Sequence, residues 1–313
     1  MVGGCAPAAV AGPVNPQSFK ARLAAAKGGE TFVLAPGDYG LVRFPKDGFA
    51  RLVTIDARKA KFAQLFLERT RNVTVLGGWV AAAPTDNYAV SVRWADNVTL
   101  DGMTISGAQR GVLVGESTNV RLANNRFTKL RSDGVNIAMS QKVWIERNSC
   151  RDFTPIPAVF DAGGKMVRDG DHPDCIQAWS RPTHAPTSDI TIIGNDIEGP
   201  MQGIGMFNHG DDGGFDRITV LDNRVKISFT HGVTVTGARD SVISGNTIDV
   251  IEGARLPNYP YYPVRPTSIL EGSGNVGCGN QISALPKAPT ARPCAREELE
   301  RVRRARGVRM LAN

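Results

Sequence analysis

The sequence has no apolar run approaching the roughly 20 residues that a membrane-crossing helix needs, so no membrane span is expected. Aromatic residues are scarce, at 7% of 313, whereas Gly is abundant (34) and the apolar residues lean towards Val, Ile and Leu. That mixture suits many short strands joined by turns. Five Cys stand at 5, 150, 175, 278 and 294 without a paired Cys-x-x-Cys spacing, which argues against structural zinc. Cys278 and Cys294 flank a Pro-rich tail segment and could close a small loop, which would imply an oxidising compartment. The start, Met1-Val2-Gly3-Gly4-Cys5, lacks the basic and apolar regions of a signal peptide, so either an export signal has been removed or the protein stays inside. Acidic residues are outnumbered, giving a formal charge of +7 that suits nucleic acid or an acidic polysaccharide. No nucleic-acid partner is expected, because there is no recognition motif and no aromatic residues interleave a basic patch.

What the chain does have is a repeat. Segments beginning Asn72-Val-Thr-Val, Asn97-Val-Thr-Leu, Asn119-Val-Arg-Leu, Lys142-Val-Trp-Ile, Asp189-Ile-Thr-Ile, Arg217-Ile-Thr-Val and Ser241-Val-Ile superpose with spacings of 25, 22, 23, 47, 28 and 24. A period of this size signals a solenoid, and the apolar/polar alternation inside each copy marks a strand rather than a helix. The Leu/Asn consensus of leucine-rich repeats is absent. A turn follows each copy, with Asn125, Asn148, Asn195, Asn223 and Asn246 in register. Asn tolerates the left-handed backbone of a tight turn, and stacked amides can bond along a ladder.

A second strand family precedes the first: Gly111-Val-Leu-Val, Gly134-Val-Asn-Ile, Cys175-Ile-Gln-Ala, Gly203-Ile-Gly-Met and Gly232-Val-Thr-Val. Val112, Val135, Ile176, Ile204 and Val233 should point inward, with the next residue of each outward. Seven or eight coils are expected. Gln17–Lys27 reads as an amphipathic helix running into Pro36-Gly37-Asp38-Tyr39, and Ala295–Arg306 reads as a basic helix after a Pro-rich stretch at Pro257–Pro266. A solenoid needs such caps to cover its terminal core and strand edges.

The asparagine ladder and the helix-then-Pro-Gly-x-Tyr entry resemble the pectate-lyase-like right-handed parallel β-helix proteins over roughly residues 17 to 255. The resemblance implies an all-β solenoid with an N-terminal capping helix and a C-terminal tail and helix. On this reading residues 1–16 form a flexible segment, 17–270 a single β-helix domain, and 271–313 the tail and basic helix. A secreted or periplasmic monomer is expected.

The regular coil breaks where 47 residues separate Lys142 from Asp189. The excess falls at Phe153–Asp171 and Trp179–Ser188, and the next coil carries an extension at Phe207–Phe215. Insertions on a rigid scaffold are where solenoids place binding and catalytic groups. All four His, at 172, 184, 209 and 231, fall in or beside these loops. Two residues before each inward aliphatic stand Arg110, Asp133, Asp174, Gln202 and His231, each followed by Gly or Cys. In register these five stack on successive coils about 4.8 Å apart, with Asn136, Gln177 and Thr234 facing out alongside. Two carboxyls at that spacing repel, so one tends to hold a proton or the pair shares a cation.

Ser132-Asp133-Gly134, Pro173-Asp174-Cys175 and Thr230-His231-Gly232 resemble the Asn-Thr-Asp, Asp-Asp-Cys and Gly-His-Gly motifs of polygalacturonases. The likeness puts Asp133 and Asp174 in the carboxylate roles of glycoside hydrolysis, with His231 as helper. The chain departs from that pattern in having Pro173 for the first Asp, an extra coil carrying Gln202, and no Arg-Ile-Lys motif. The string His172-Pro173-Asp174-Cys175-Ile176-Gln177 is similar to the His-x-Asp-x-Ile-Gln strand of bacterial β-helix proteins grouped with polysaccharide lyases and epimerases.

The expected activity is β-elimination on a uronic-acid polysaccharide. Arg110, Arg181 or a cation such as Ca2+ held by Asp171 and Asp174 would neutralise the substrate carboxylate, and His172 or His231 would remove the C5 proton. A C5-epimerase would need the same base. A hydrolase would use Asp133 and Asp174, and a non-catalytic adhesin would use the solenoid only for display. Asn136, Gln177, Trp179, Arg181, Gln202 and His209 are the expected substrate contacts, with Trp179 able to stack on a sugar ring.

Overall fold

The computed structural model describes residues 12–208, 212–256, 259–264, 267–282 and 292–307. It is a right-handed parallel β-helix of about nine turns, more than the seven or eight expected, because irregular coils at either end escape the Asn-Val-Thr repeat. Each full coil lays down three strands. The first sheet face contains, in order, Leu41–Arg43, Gln64–Glu68, Tyr88–Arg93, Arg110–Gly115, Val135–Ala138, Asp174–Trp179, Gln202–Met206, His231–Arg239 and Thr267–Ser273. The second carries the Asn-Val-Thr copies, and a third of short strands closes the coil through pairs such as Arg126–Thr128 with Ser149–Arg151. Solenoid strands continue past residue 270 to Gln281–Ile282.

The inward alternation builds the core. Val112, Val135, Ile176, Ile204 and Val233 are in register on the first face and at most 1% exposed. Burying one such side chain contributes about 1.5–3 kcal/mol. The ladder of Asn125, Asn148, Asn195, Asn223 and Asn246 is buried and extends to Asn280. From Asn148 onward each Oδ1 accepts both the side-chain amide and the backbone N–H of the previous Asn, Asn148 Oδ1 taking Asn125 N at 2.8 Å and Nδ2 at 3.0 Å, while Asn125 Oδ1 accepts Met103 N at 2.9 Å. The left-handed backbone of this turn lies one residue earlier than expected, at Asn124, Arg147, Gly194, Asp222 and Gly245. The ladder Asn residues are held by hydrogen bonding rather than by tolerance of positive φ.

Helix α1, Pro16–Ala25, caps the N-terminal end: Asn15 Oδ1 accepts from Ser18 N at 2.9 Å, Pro16 opens the first turn, and Phe19 and Leu23 are buried on the first coils. Helix α2, Arg296–Gly307, packs Val302 against Ile193, Leu221, Val242 and Val276. Among the described residues no helix is long and apolar enough to cross a membrane. The insertion after Phe153 contains an antiparallel hairpin, Val159–Phe160 with Met166–Arg168. A second hairpin, Arg255–Leu256 with Tyr259–Pro263, begins the Pro-rich stretch, whose residues 257, 258, 265 and 266 lie outside the described ones.

Two disulfides are present. Cys278–Cys294 ties the tail to the last coil. Cys150–Cys175, which the spacing did not suggest, crosses the core and closes the base of the long insertion.

Candidate active site

The corner between the third and first faces explains why small residues follow the polar column. A Cβ on Gly134 would stand 2.5 Å from the Cys175 carbonyl oxygen and 3.2 Å from Cys150 Sγ. That position points into the coil, so the residue before it turns outward. Registers place Arg110 beside Tyr88, Asp174 beside Gln202 and His231 beside Thr267. Gly111 N bonds to the Asp133 carbonyl and Gly134 N to that of Asp174. Arg110, Asp133, Asp174, Gln202 and His231 therefore occupy successive coils along one edge.

Asp133, 3% exposed, accepts four donors. Arg110 Nε and Asn136 Nδ2 reach Oδ2 at 3.0 Å each, while Asp174 N at 3.0 Å and Ser132 Oγ at 3.3 Å reach Oδ1. Arg110 is further held by Asn87 Oδ1 at 2.8 Å and lies 5.8 Å from the centre of the Tyr88 ring. Asp174 is fully buried. Its Oδ2 accepts from Gln177 Nε2 at 3.1 Å, and its Oδ1 has no partner among the described residues. That oxygen lies over Gly205, where a Cβ would come within 2.5 Å of it and 2.4 Å of the Phe207 ring. Burial, reinforced by the neighbouring Asp133, raises the Asp174 carboxyl well above the usual carboxylate range.

Asn136 also donates to Gln177 Oε1 at 3.2 Å, linking the two acids through amides, and its own buried Oδ1 has no partner among the described residues. His231 bonds Thr234 through Nδ1 at 3.0 Å and meets Phe207 edge-on at 5.1 Å. Burial lowers its pKa. Trp179 is half-buried beside Ala138, and Arg181 is exposed in the following loop.

Other expected residues sit elsewhere. His172 is half exposed, bonded to Asp169 at 3.1 Å and 6.3 Å from the Phe229 ring, outside the column. Asp171 is ion-paired with Arg131 at 3.0 Å and accepts Ile156 N at 2.8 Å, so it anchors the insertion. A cation shared by Asp171 and Asp174 does not fit these partners, and no group of three or more metal-ligating side chains occurs among the described residues. His209 lies outside the described residues. Tyr88, Asn87 and Phe207 were not anticipated. Tyr88 could have been found by carrying the column one coil back, but it precedes Ala89 rather than Gly or Cys.

A right-handed parallel β-helix with a carboxyl pair on one strand edge is thus the class that fold and geometry define. The chain belongs to the family described as "Right handed beta helix region", whose model matches residues 88–248. It is similar to Alpha-1,3-galactosidase A of Peterkaempfera griseoplana, with 26% identity over 215 residues, 68% of this chain and 27% of that relative's length. It thus spans about a quarter of that curated relative. Among solved structures it resembles the tailspike protein of E. coli bacteriophage HK620 (12–13% identity, 91–93% and 62–63% coverage, TM-score 0.48). It also resembles an alginate lyase from Paenibacillus sp. str. FPU-7 (14% identity, 89% and 95% coverage, TM-score 0.41). At these identities the structural likenesses concern the fold alone.

Proposed function

We propose that this protein is a carbohydrate-active enzyme that hydrolyses a glycosidic bond, with Asp174 as general acid and Asp133 as the carboxylate opposite it. The observation that carries this reading is the unlike setting of two neighbouring acids: Asp133 is ion-paired with Arg110 and saturated with donors, while Asp174 is buried, proton-retaining and has one buried oxygen without a partner among the described residues. Pairs of carboxyls whose environments drive them apart are how glycosidases divide acid and base roles. Adjacent strands put the two about 4.8 Å apart, which suits a retaining rather than an inverting arrangement. The galactosidase relative agrees with this chemistry.

β-Elimination is less well supported. It needs a cation to neutralise a uronate at the reacting carbon; Arg110 is engaged by Asp133 and Asn87, and Arg181 stands in the exposed loop after Trp179, outside the column. His231 assists by positioning rather than by charge, because burial favours its neutral form. Two disulfides accord with an exported protein. The test is incubation with neutral and acidic polysaccharides, following reducing ends and unsaturated-uronate absorbance together. New ends without absorbance are expected; absorbance would replace hydrolysis by elimination, and neither signal, with no change in uronate stereochemistry, would leave a binding role.

A further inference from the structure

The arginines of this chain are not distributed evenly between paired and unpaired. Along the middle and C-terminal coils, Arg121, Arg126, Arg131, Arg147, Arg151, Arg217, Arg224 and Arg239 all contact carboxylates. On the N-terminal coils Arg58 pairs with Asp56, but Arg43, Arg69 and Arg93 have no carboxylate oxygen within 4.0 Å among the described residues. They lie instead on aromatic rings: Arg43 is 4.0 Å from the centre of Phe66, and Arg93 and Arg69 are 4.2 and 4.7 Å from that of Trp94. Glu68, the strand neighbour of Arg93, accepts from Ser91 Oγ at 2.7 Å. A hollow of about 200 Å³ opens beside Arg69, Arg71 and Trp94, and Asp47 and Asp96 line its other side, so the carboxylate-binding donors are the stacked guanidinium edges and not the floor of the hollow.

A guanidinium stacked on a ring presents its π face to the ring and leaves in-plane N–H groups for a partner. Planar, forked donors of this kind match a carboxylate. The cluster shares the first sheet face with the carboxyl pair but lies towards its opposite edge, since Trp179 stands five residues, about 16 Å, beyond Asp174 on the same strand. Arg93 is in register with Gly115, Gly115 with Ala138, and Ala138 with Trp179, a run of about 14 Å along the axis whose two middle positions are small. Arg93 itself runs against Gly115.

We infer that Arg43, Arg69 and Arg93, braced by Phe66 and Trp94, form a remote subsite for the carboxylates of a sugar-acid polymer. The inference rests on the glycan reading above and adds a charge requirement several coils from the bond that is cleaved. It uses binding energy away from the reacting centre to place the chain.

The experiment uses full-length protein carrying Asp174→Asn, so that binding is read without turnover, and measures calorimetric affinity for a galacturonate oligomer and a neutral galactose oligomer of equal length. The acidic oligomer should bind more tightly, and adding Arg69→Ala with Arg93→Ala should weaken it about tenfold or more while leaving the neutral oligomer unchanged. Arg93→Lys, which keeps the charge but loses the fork, should fall between. Thermal unfolding of each variant confirms an intact fold. Equal affinity for the two oligomers, no binding of the acidic one, or unchanged binding in the double-Arg variant would overturn the subsite. Absence of cleavage by the parent protein on every glycan, with this binding pattern intact, would overturn hydrolysis and leave the subsite standing.

Discussion

The backbone amide of Asp174 donates to Oδ1 of Asp133 at 3.0 Å, fastening the two acids across successive coils. The bond fixes Asp133 as an acceptor and places the Asp174 side chain deeper, where Gln177 alone serves it. Replacement of either acid should therefore fail differently. Asp174→Asn should lower kcat by about 100-fold or more, the scale of a lost general acid. Asp133→Asn should also be severely impaired, but its residual activity should have a basic limb shifted to lower pH, because the repulsion that helps to raise Asp174 is gone. A kcat pH profile of both variants checks this, and coincident limbs in Asp133→Asn and the parent would refute the coupling.

The same carboxyl makes stability depend on pH. With its native pKa above the unfolded value near 3.9, Asp174 retains a proton in the folded state that the unfolded chain releases, so its contribution is full below about pH 4 and is lost as pH rises towards the native pKa. The slope is about 1.4 kcal/mol per pH unit across that window. His231 acts in the opposite sense: with its pKa lowered by burial, its contribution is present above the unfolded value near 6.5 and is lost as pH falls through the native one. Asp174→Asn should flatten the alkaline side of a stability profile measured by urea unfolding, and His231→Gln the acidic side. An unchanged alkaline side in Asp174→Asn would refute the buried-proton assignment.

The disulfide at the base of the insertion should matter for activity as well as stability. Cys175 directly follows Asp174, and its partner Cys150 ends the coil before the insertion. Cys150→Ala with Cys175→Ala should cost about 3 kcal/mol, as should Cys278→Ala with Cys294→Ala, since the loops closed are of comparable size. Only the first pair should also depress turnover of the folded enzyme. Denaturant unfolding and kcat measured on both variants separate the two effects; equal turnover would place the bridge outside the site's support.

The column from Arg110 to His231 was legible because strand pairing in a parallel solenoid preserves register. Residues two before an inward aliphatic in sequence stay neighbours in space. What escaped was whatever depends on side-chain direction across coils. Cys150 and Cys175 are separated by an insertion that hides their adjacency, and Asp171 lies three residues from Asp174 yet turns to Arg131. The engagement of Arg110 by Asp133 was equally invisible, and it is the observation on which the proposal of hydrolysis over elimination leans. The first coils were missed because their strands, such as Leu41–Arg43 and Gln64–Glu68, lack the Asn-Val-Thr signature.

The asparagine ladder offers the sharpest test of what holds the scaffold. Asn148 sits at its middle: Oδ1 accepts Asn125 N and Nδ2, while Nδ2 donates to the Leu122 carbonyl at 2.9 Å and to Asn195 Oδ1 at 3.0 Å. Alanine there would leave a buried amide, a side-chain donor and a carbonyl without partners at once. Each orphaned group costs about 1–3 kcal/mol, so Asn148→Ala should lose about 3 kcal/mol or more. Asn280, the last member and only part-buried, accepts from Asn246 alone on its Oδ1 and faces no further rung among the described residues. Asn280→Ala should cost clearly less, because water can reach the groups it abandons. Urea unfolding of the two variants decides the matter: equal losses would mean that the ladder stabilises rung by rung through local turn geometry, and a larger loss at Asn148 would mean that satisfaction of buried polar groups sets its value.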